Sequence, residues 1–296
     1  MLGFLGIIFL ILICGYFYFE NKFTPEKNYL LVQNESGKIP ITWLGNNKNV
    51  LLLPIRFSGN PKTYYLQFDT GSPYTQFYKN SIKNIKEIKL ANDRISTSFF
   101  LGKSKISSDK FKIFNNKKND EKDSLEIIGT LGSDILENRK TLFGFKENNM
   151  EFNLNKNPEN FSKQLSDFSF KKRRIIFPAF LKGQKRKFLY DSGTSAYELL
   201  TTKEEWEKLK NPDSEIVTEK GKSWNNILTT FTAKCNQKIG FKNVNLLLNE
   251  VTYVEGFSQS QYSMMKLSGM SGMLGNKIFL KNTIFLDCSK NKFAIE

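Results

Sequence analysis

Histidine is absent from this 296-residue chain. That absence excludes Ser-His and Cys-His nucleophilic systems, His-Glu-x-x-His metalloproteases and most zinc sites together, because each needs an imidazole as base or ligand. Cysteine is scarce as well. Cys14, Cys235 and Cys288 are the whole complement and show no paired short spacing, so a four-cysteine zinc site is out of reach. No metal site and no cofactor is expected. For hydrolytic chemistry the chain is left with its aspartates and glutamates.

Two tetrapeptides concentrate that chemistry: Asp69-Thr70-Gly71-Ser72 and Asp191-Ser192-Gly193-Thr194. Each is an Asp, a small hydroxyl residue, a Gly and a second small hydroxyl residue. Each follows an apolar stretch, Tyr64–Phe68 in the first case and Phe188–Tyr190 in the second. A strand that delivers an Asp to a glycine turn, twice in one chain, can bring two carboxylates together at a pseudo-twofold axis. Two carboxylates that close share a proton, so one serves as general base while the other serves as general acid. Gly71 and Gly193 leave room for backbone N–H groups to approach the carboxylates.

The surroundings of the two motifs repeat too. Leu53-Pro54, Gly59 and Asp69 are matched by Phe177-Pro178, Gly183 and Asp191, and both segments read as a hairpin running into the Asp strand. Thr130-Leu131-Gly132-Ser133-Asp134-Ile135-Leu136 is matched by Met273-Leu274-Gly275-Asn276-Lys277-Ile278-Phe279. Thr141-Leu142-Phe143 and Asn149 are then matched by Thr283-Ile284-Phe285 and Asn291 at equal spacing. Gly132 and Gly275 let a strand pass behind each loop without a Cβ clash.

From about residue 28 to residue 296 the chain resembles the pepsin-like, bilobal aspartic proteases, with compact lobes. The resemblance implies an all-β, bilobal fold with pseudo-twofold symmetry, an N-terminal lobe over residues 28–160 and a C-terminal lobe over residues 171–296. It implies an aspartic-type endopeptidase with Asp69 and Asp191 as the dyad. Thr70 and Ser192 would tie the two loops together, Ser72 and Thr194 would hydrogen-bond the outer carboxylate oxygens, and Leu131-Gly132 and Leu274-Gly275 would thread behind the loops. The partner would be a peptide in extended conformation, and the enzyme a monomer, since both halves lie in one chain. The alternative is a catalytically inactive peptide-binding or scaffold protein that keeps the fold. The chain departs from the family in its flap. The hairpin expected between about Ile88 and Phe100 has Ala91-Asn92-Asp93-Arg94 at its tip and carries no Tyr.

Leu2–Phe19 is an uncharged apolar run near the lower length limit for a membrane span. It lacks a basic leader and an Ala-x-Ala-like cleavage site, so residues 1–23 read as an uncleaved, single-pass transmembrane signal anchor, ahead of a removed signal peptide. Ile13 before Cys14 does not suit a lipobox. Lys22 and Lys27 on the C-terminal side of the run slightly favour a cytoplasmic catalytic part. Family resemblance points to the other side and is preferred. Cys235 and Cys288 are read equally as a disulfide or as two buried thiols. The net charge of +15 is spread along the chain, and its densest run, Lys171-Lys172-Arg173-Arg174, reads as a solvated linker rather than a nucleic-acid site.

Strands are expected at Asn28–Gln33, Val50–Arg56, Tyr64–Phe68, Ile95–Leu101, Phe111–Phe114, Leu142–Phe145, Arg174–Phe180, Phe188–Tyr190, Ile227–Ala233, Val244–Leu248, Thr252–Val254 and Thr283–Leu286. Thr202–Leu209 is expected as a helix opened by a Thr202/Glu205 capping box. Residues 115–124 form a charged loop and residues 155–170 the inter-lobe connection. A chain beginning near Thr24 is expected to be soluble and monomeric; sizing by gel filtration with light scattering checks this, and an aggregated or unfolded product would count against it.

Overall fold

Two hairpins of the same design carry the two Asp motifs. In the first, Val50–Phe57 runs antiparallel to Thr63–Asp69 with Leu53 opposite Leu66. In the second, Arg174–Leu181 runs antiparallel to Gln184–Tyr190 with Phe177 opposite Phe188. Along Thr63–Asp69 burial alternates: Tyr64, Leu66 and Phe68 point into the core, while Tyr65, Gln67 and Asp69 lie on the more open face. The period of two therefore puts the carboxylate at the surface end of a strand whose other face is anchored in the core. The structure is a computed structural model that describes residues 24–115, 125–161, 164–223, 226–256 and 269–296.

Each hairpin is then threaded in the same way. Ile127–Gly132 lies parallel to the first Asp strand, with Leu131 opposite Phe68 and Gly132 opposite Asp69, and antiparallel to Gln76–Tyr78. Gly272–Leu274 lies parallel to the second, with Leu274 opposite Tyr190, and antiparallel to Leu199–Thr201. A nine-stranded sheet forms around the first hairpin and an eight-stranded sheet around the second. Each curls on itself: Arg94–Leu101 pairs with both Val50–Phe57 and Ser104–Phe114, and Arg174–Leu181 pairs with both Gln184–Tyr190 and Asn226–Gly240.

A third, six-stranded sheet joins the halves through the antiparallel pair Lys140–Gly144 and Thr283–Asp287. Leu142 faces Phe285 and Phe143 faces Ile284. Under the sequence repeat these two pairs exchange places, so the internal symmetry runs through the middle of this sheet. Phenylalanine fills the space beneath: Phe68, Phe77, Phe99, Phe143, Phe177, Phe188 and Phe279 are fully buried in one cluster that spans both halves. The ring of Phe143 lies 5.5 Å from that of Phe68, so the joining sheet packs against the strand that ends in Asp69.

The described residues are mostly strand, as expected, but several strands differ in extent. Ser104–Phe114 is one long strand where only Phe111–Phe114 was expected. Asn245–Glu255 is continuous where two strands were expected, and its partner Asn226–Gly240 absorbs the mismatch with an irregularity between Lys234 and Gln237. The expected helix runs from Lys203 to Leu209 with Thr202 Oγ1 accepting from Glu205 N at 3.3 Å. The reciprocal half of the capping box is not made, because the Glu205 carboxylate accepts from Arg186 Nη1 at 2.5 Å instead. The proposed anchor over residues 1–23 and most of the charged loop lie outside the described residues. Among the described residues no helix is long and apolar enough to cross a membrane.

Phe177 sits at the crowded centre of the second half, its ring 4.6 Å from Phe293, 5.9 Å from Phe168 and 6.0 Å from both Tyr190 and Phe241. Phe177→Ala is expected to cost about 3–5 kcal/mol, the usual loss for emptying a buried aromatic site. Equilibrium urea unfolding measures it; a loss under about 1 kcal/mol would show that the core collapses into the space.

Candidate active site

The Asp motifs end their strands at the junction of the two halves, and the hydroxyl residue after each Asp binds the opposite half. Thr70 N donates to Ser192 Oγ at 2.9 Å, and Ser192 N donates to Thr70 Oγ1 at 2.9 Å. Each hydroxyl passes its own proton across as well: Thr70 Oγ1 donates to Tyr190 O and Ser192 Oγ donates to Phe68 O, both at 3.0 Å. Thr70 and Ser192 are buried, so these four bonds are closed to water. They join residues separated by 120 or more positions.

This arrangement puts the Asp69 and Asp191 side chains in hydrogen-bonding contact with each other. Asp69 Oδ1 accepts from Gly71 N at 2.9 Å and Ser72 N at 3.2 Å, and Asp191 Oδ1 accepts from Gly193 N at 2.9 Å. A Cβ on Gly71 would stand 2.7 Å from Asp191 Oδ1, and one on Gly193 would stand 2.6 Å from Asp69 Oδ1. Any other residue at either position would collide with the carboxylate of the opposite half. The threading glycines are as tightly held: a Cβ on Gly132 would lie 2.4 Å from the Tyr74 carbonyl, and one on Gly275 would lie 2.2 Å from the Thr194 oxygen.

The second hydroxyls behave differently from expectation. Ser72 Oγ donates to Tyr74 O at 2.9 Å, and Thr194 Oγ1 donates to Asp191 O at 2.8 Å. A hydroxyl has one proton, so neither donates to an outer carboxylate oxygen here. Both residues brace the turn backbone instead, and the inner carboxylate oxygens are held by backbone N–H groups.

Both dyad carboxyls titrate above the usual carboxylate range. Burial raises Asp69 against the pull of the Gly71 and Ser72 N–H groups. Burial raises Asp191 first and the charge of Asp69 raises it further, to about 7. Each carboxyl keeps some exposed surface, so the raised affinity reflects protein on most sides and a remaining opening to solvent. The pair thus holds a shared proton toward neutral pH.

A second polar layer supports the first loop, and its Ser133 and Asp134 fell within a motif recognised in the sequence. Asp134, buried, accepts from Thr75 N and Thr75 Oγ1, both at 2.7 Å, and burial outweighs these bonds to push its carboxyl up to about 6. Arg173 is also buried, which corrects the reading of Lys171–Arg174 as a solvated linker. Lys172 and Arg173 form the tip of a tight hairpin, with φ of 54° and 59°. From there the Arg173 guanidinium donates to Pro73 O at 3.2 Å, Glu26 O at 2.8 Å and Glu137 Oε2 at 3.1 Å, and lies 5.3 Å over the Tyr74 ring. Its own carbonyl accepts from Ser133 Oγ at 2.6 Å. One side chain so links the segment after the apolar run, the first Asp loop and the second half. Nothing in a run of four basic residues marks which one turns inward.

The hairpin expected between about Ile88 and Phe100 is present as Lys89–Ala91 and Arg94–Leu101 with Asn92 at φ 53° in its turn. Arg94 reaches Glu26 at 3.0 Å, and Lys112 joins the same carboxylate at 2.5 Å. A tyrosine does reach the neighbourhood, from the strand after the first loop rather than from that hairpin: Tyr78 OH lies 2.9 Å from Thr130 Oγ1, and its phenol is raised by burial and, in lesser part, by the charge of Asp69. Cys235 and Cys288 are free, buried thiols. Among the described residues no cluster of Asp, Glu or Cys is arranged to hold a metal ion. No protein-family model matches this chain, and no curated protein matches it.

A carboxyl whose folded pKa is raised stabilises the fold at low pH and loses that contribution as pH rises through the folded value. For Asp191 the window runs from about 4 to about 7. Asp134 acts in the same sense, so the contribution of Asp191 is read by difference. Asp191→Asn is expected to raise the melting temperature over wild type at pH 7.5 and to leave it nearly equal at pH 4. Melting curves at both values decide it; an equal or lower melting temperature at pH 7.5 would contradict the raised carboxyl.

Proposed function

We propose that this chain is an aspartic endopeptidase of bilobal, pepsin-like architecture, held at a membrane by its N-terminal apolar run. The observation that carries this reading is the reciprocal Thr70–Ser192 lock, which sets two half-open, proton-sharing carboxyls side by side where two like halves meet. Among the described residues no cation pairs with either carboxyl, and the proton affinity of the pair is raised toward neutral pH, as general acid–base work requires.

In this mechanism an extended peptide lies across the dyad with its scissile carbonyl over the carboxyls. The ionised carboxylate takes a proton from a water molecule as the water oxygen attacks the carbonyl carbon. The protonated carboxyl gives its proton to the carbonyl oxygen, so the tetrahedral intermediate is a neutral gem-diol. The carboxyl protonated by the water then gives its proton to the amide nitrogen while the other carboxylate takes a proton from a gem-diol hydroxyl, and the C–N bond breaks to release acid and amine. The dyad ends with one proton, as it began. Gly71, Ser72 and Gly193 N–H groups hold the carboxylates in place throughout. Anchorage through Leu2–Phe19, with the lobes on the non-cytoplasmic side, completes the reading.

Asp69→Asn and Asp191→Asn are each expected to lower cleavage of a denatured protein mixture by roughly a thousandfold or more, with the double variant scarcely worse, because the two groups act as one unit. The wild-type rate should decline as pH passes about 7, where the shared proton leaves. Gel and mass-spectrometric product analysis across pH 3 to 10 tests both. Binding of unfolded chains without Asp-dependent cleavage would establish a peptide-binding scaffold instead.

A further inference from the structure

Residues two apart on a strand face the same side. Gln67 stands two residues before Asp69 and Leu189 two residues before Asp191, so each shares the face of its aspartate. The sheet register extends both into rows of three. Gln67 pairs with Thr130 and Thr130 with Gln76; Leu189 pairs with Met273 and Met273 with Leu200. The rows occupy equivalent places in the repeat, since Thr130 and Met273 both stand two residues before a threading glycine.

Their chemistry is opposite. The first row is amide, hydroxyl, amide; the second is leucine, methionine, leucine. Gln67, Gln76 and Met273 keep partial exposure while their strand neighbours Phe68, Phe77 and Leu274 are buried; Thr130, Leu189 and Leu200 are buried, but the two leucines lie outside the main core cluster, so the rows sit on the face away from it. Tyr78 adds a further hydroxyl to the polar row through its bond to Thr130 Oγ1. Gly132, two residues on from Thr130, lies opposite Asp69, which puts this row beside the dyad.

We propose that these rows are the walls that receive the two side chains flanking the cleaved bond, so that the protein cuts between one amide- or hydroxyl-bearing residue and one large apolar residue, in a fixed order along the peptide. This rests on the endopeptidase reading above. A peptide crossing the dyad meets the first half on one side of the scissile bond and the second half on the other. An apolar side chain against this row would bury the Gln67 and Gln76 amides, and a polar one against Leu189, Met273 and Leu200 would be left unpaired in turn. Discrimination of about 10- to 100-fold between matched and mismatched residues is in reach of such walls.

The test digests a denatured protein mixture of known sequence with the full-length protein in detergent and reads the new termini by mass spectrometry. Four proteins are compared: wild type, Asp69→Asn, the triple variant Gln67→Leu/Thr130→Ile/Gln76→Leu, and the milder Thr130→Val. Wild type should cut at polar–apolar junctions of one order at least about tenfold more often than at apolar–apolar ones. The triple variant should move the preference to apolar residues on both sides, and Thr130→Val should move it part of the way, which keeps the test decisive if the triple variant does not fold. Asp69-dependent cleavage without that junction preference, or a preference that neither substitution moves, would overturn the proposal and leave the endopeptidase reading standing. Absence of Asp69-dependent cleavage would overturn both.

Discussion

Everything at the centre of this molecule depends on four buried hydrogen bonds between Thr70 and Ser192 and the strands that precede them. Each hydroxyl accepts an N–H from the opposite loop and donates to a carbonyl of the opposite strand, so each is satisfied in both roles. In a site closed to water, loss of either hydroxyl would strand a donor and an acceptor, at about 1–3 kcal/mol for each buried group left unpaired. The lock also sets the spacing of the carboxylates, because each Asp is the residue just before a locked one. Glycine at 71 and 193 is the steric counterpart of that constraint: the loops approach until a carboxylate of one half occupies the space a side chain of the other would need.

Holding two carboxyls together in protein surroundings sets opposing forces against each other. Burial and mutual repulsion favour the protonated form, whereas backbone N–H groups from both turns favour the ionised form. The outcome is a pair that keeps one proton and stays ionised by one charge. Asp134 settles the same conflict a layer below, where its two bonds from Thr75 only partly offset burial. The lysine excess of the chain takes little part in either. Among the described residues its ion pairs are mostly at the surface, such as Lys62 with Glu126 and Lys208 with Glu204, where their worth is small.

The features legible in the sequence are those whose chemistry demands a particular residue at a particular place. Two Asp-hydroxyl-Gly-hydroxyl turns, two threading glycines and the equal spacing from Thr141 to Asn149 and from Thr283 to Asn291 admit few substitutions, so the duplication survives as readable text. What escaped reading is held by tertiary context. Gln76–Tyr78, Leu199–Thr201 and Gly272–Leu274 are three-residue strands, too short for any period to show, though they form the threaded centre of each half. Arg173 is one cation in a run of four, and its partners Glu26 and Pro73 lie 100 or more positions away. Ser72 and Thr194 keep their place beside the dyad but spend their protons on the backbone, a choice that local sequence does not encode.

The clasp on Glu26 has a consequence of reach. Its carboxylate is held by Arg94 and Lys112, its N–H by the Tyr74 hydroxyl and its carbonyl by Arg173, so the chain is fixed to the folded body at that point. Phe19, the last residue of the apolar run, is only seven positions earlier. Fully extended, those residues span at most about 25 Å. With the run seated in lipid as proposed, the body could neither swing away on a long stalk nor survey the surrounding solution. It would work within about one domain's width of the bilayer, and the polypeptides open to it would be those that emerge from the same membrane or pass close along its surface.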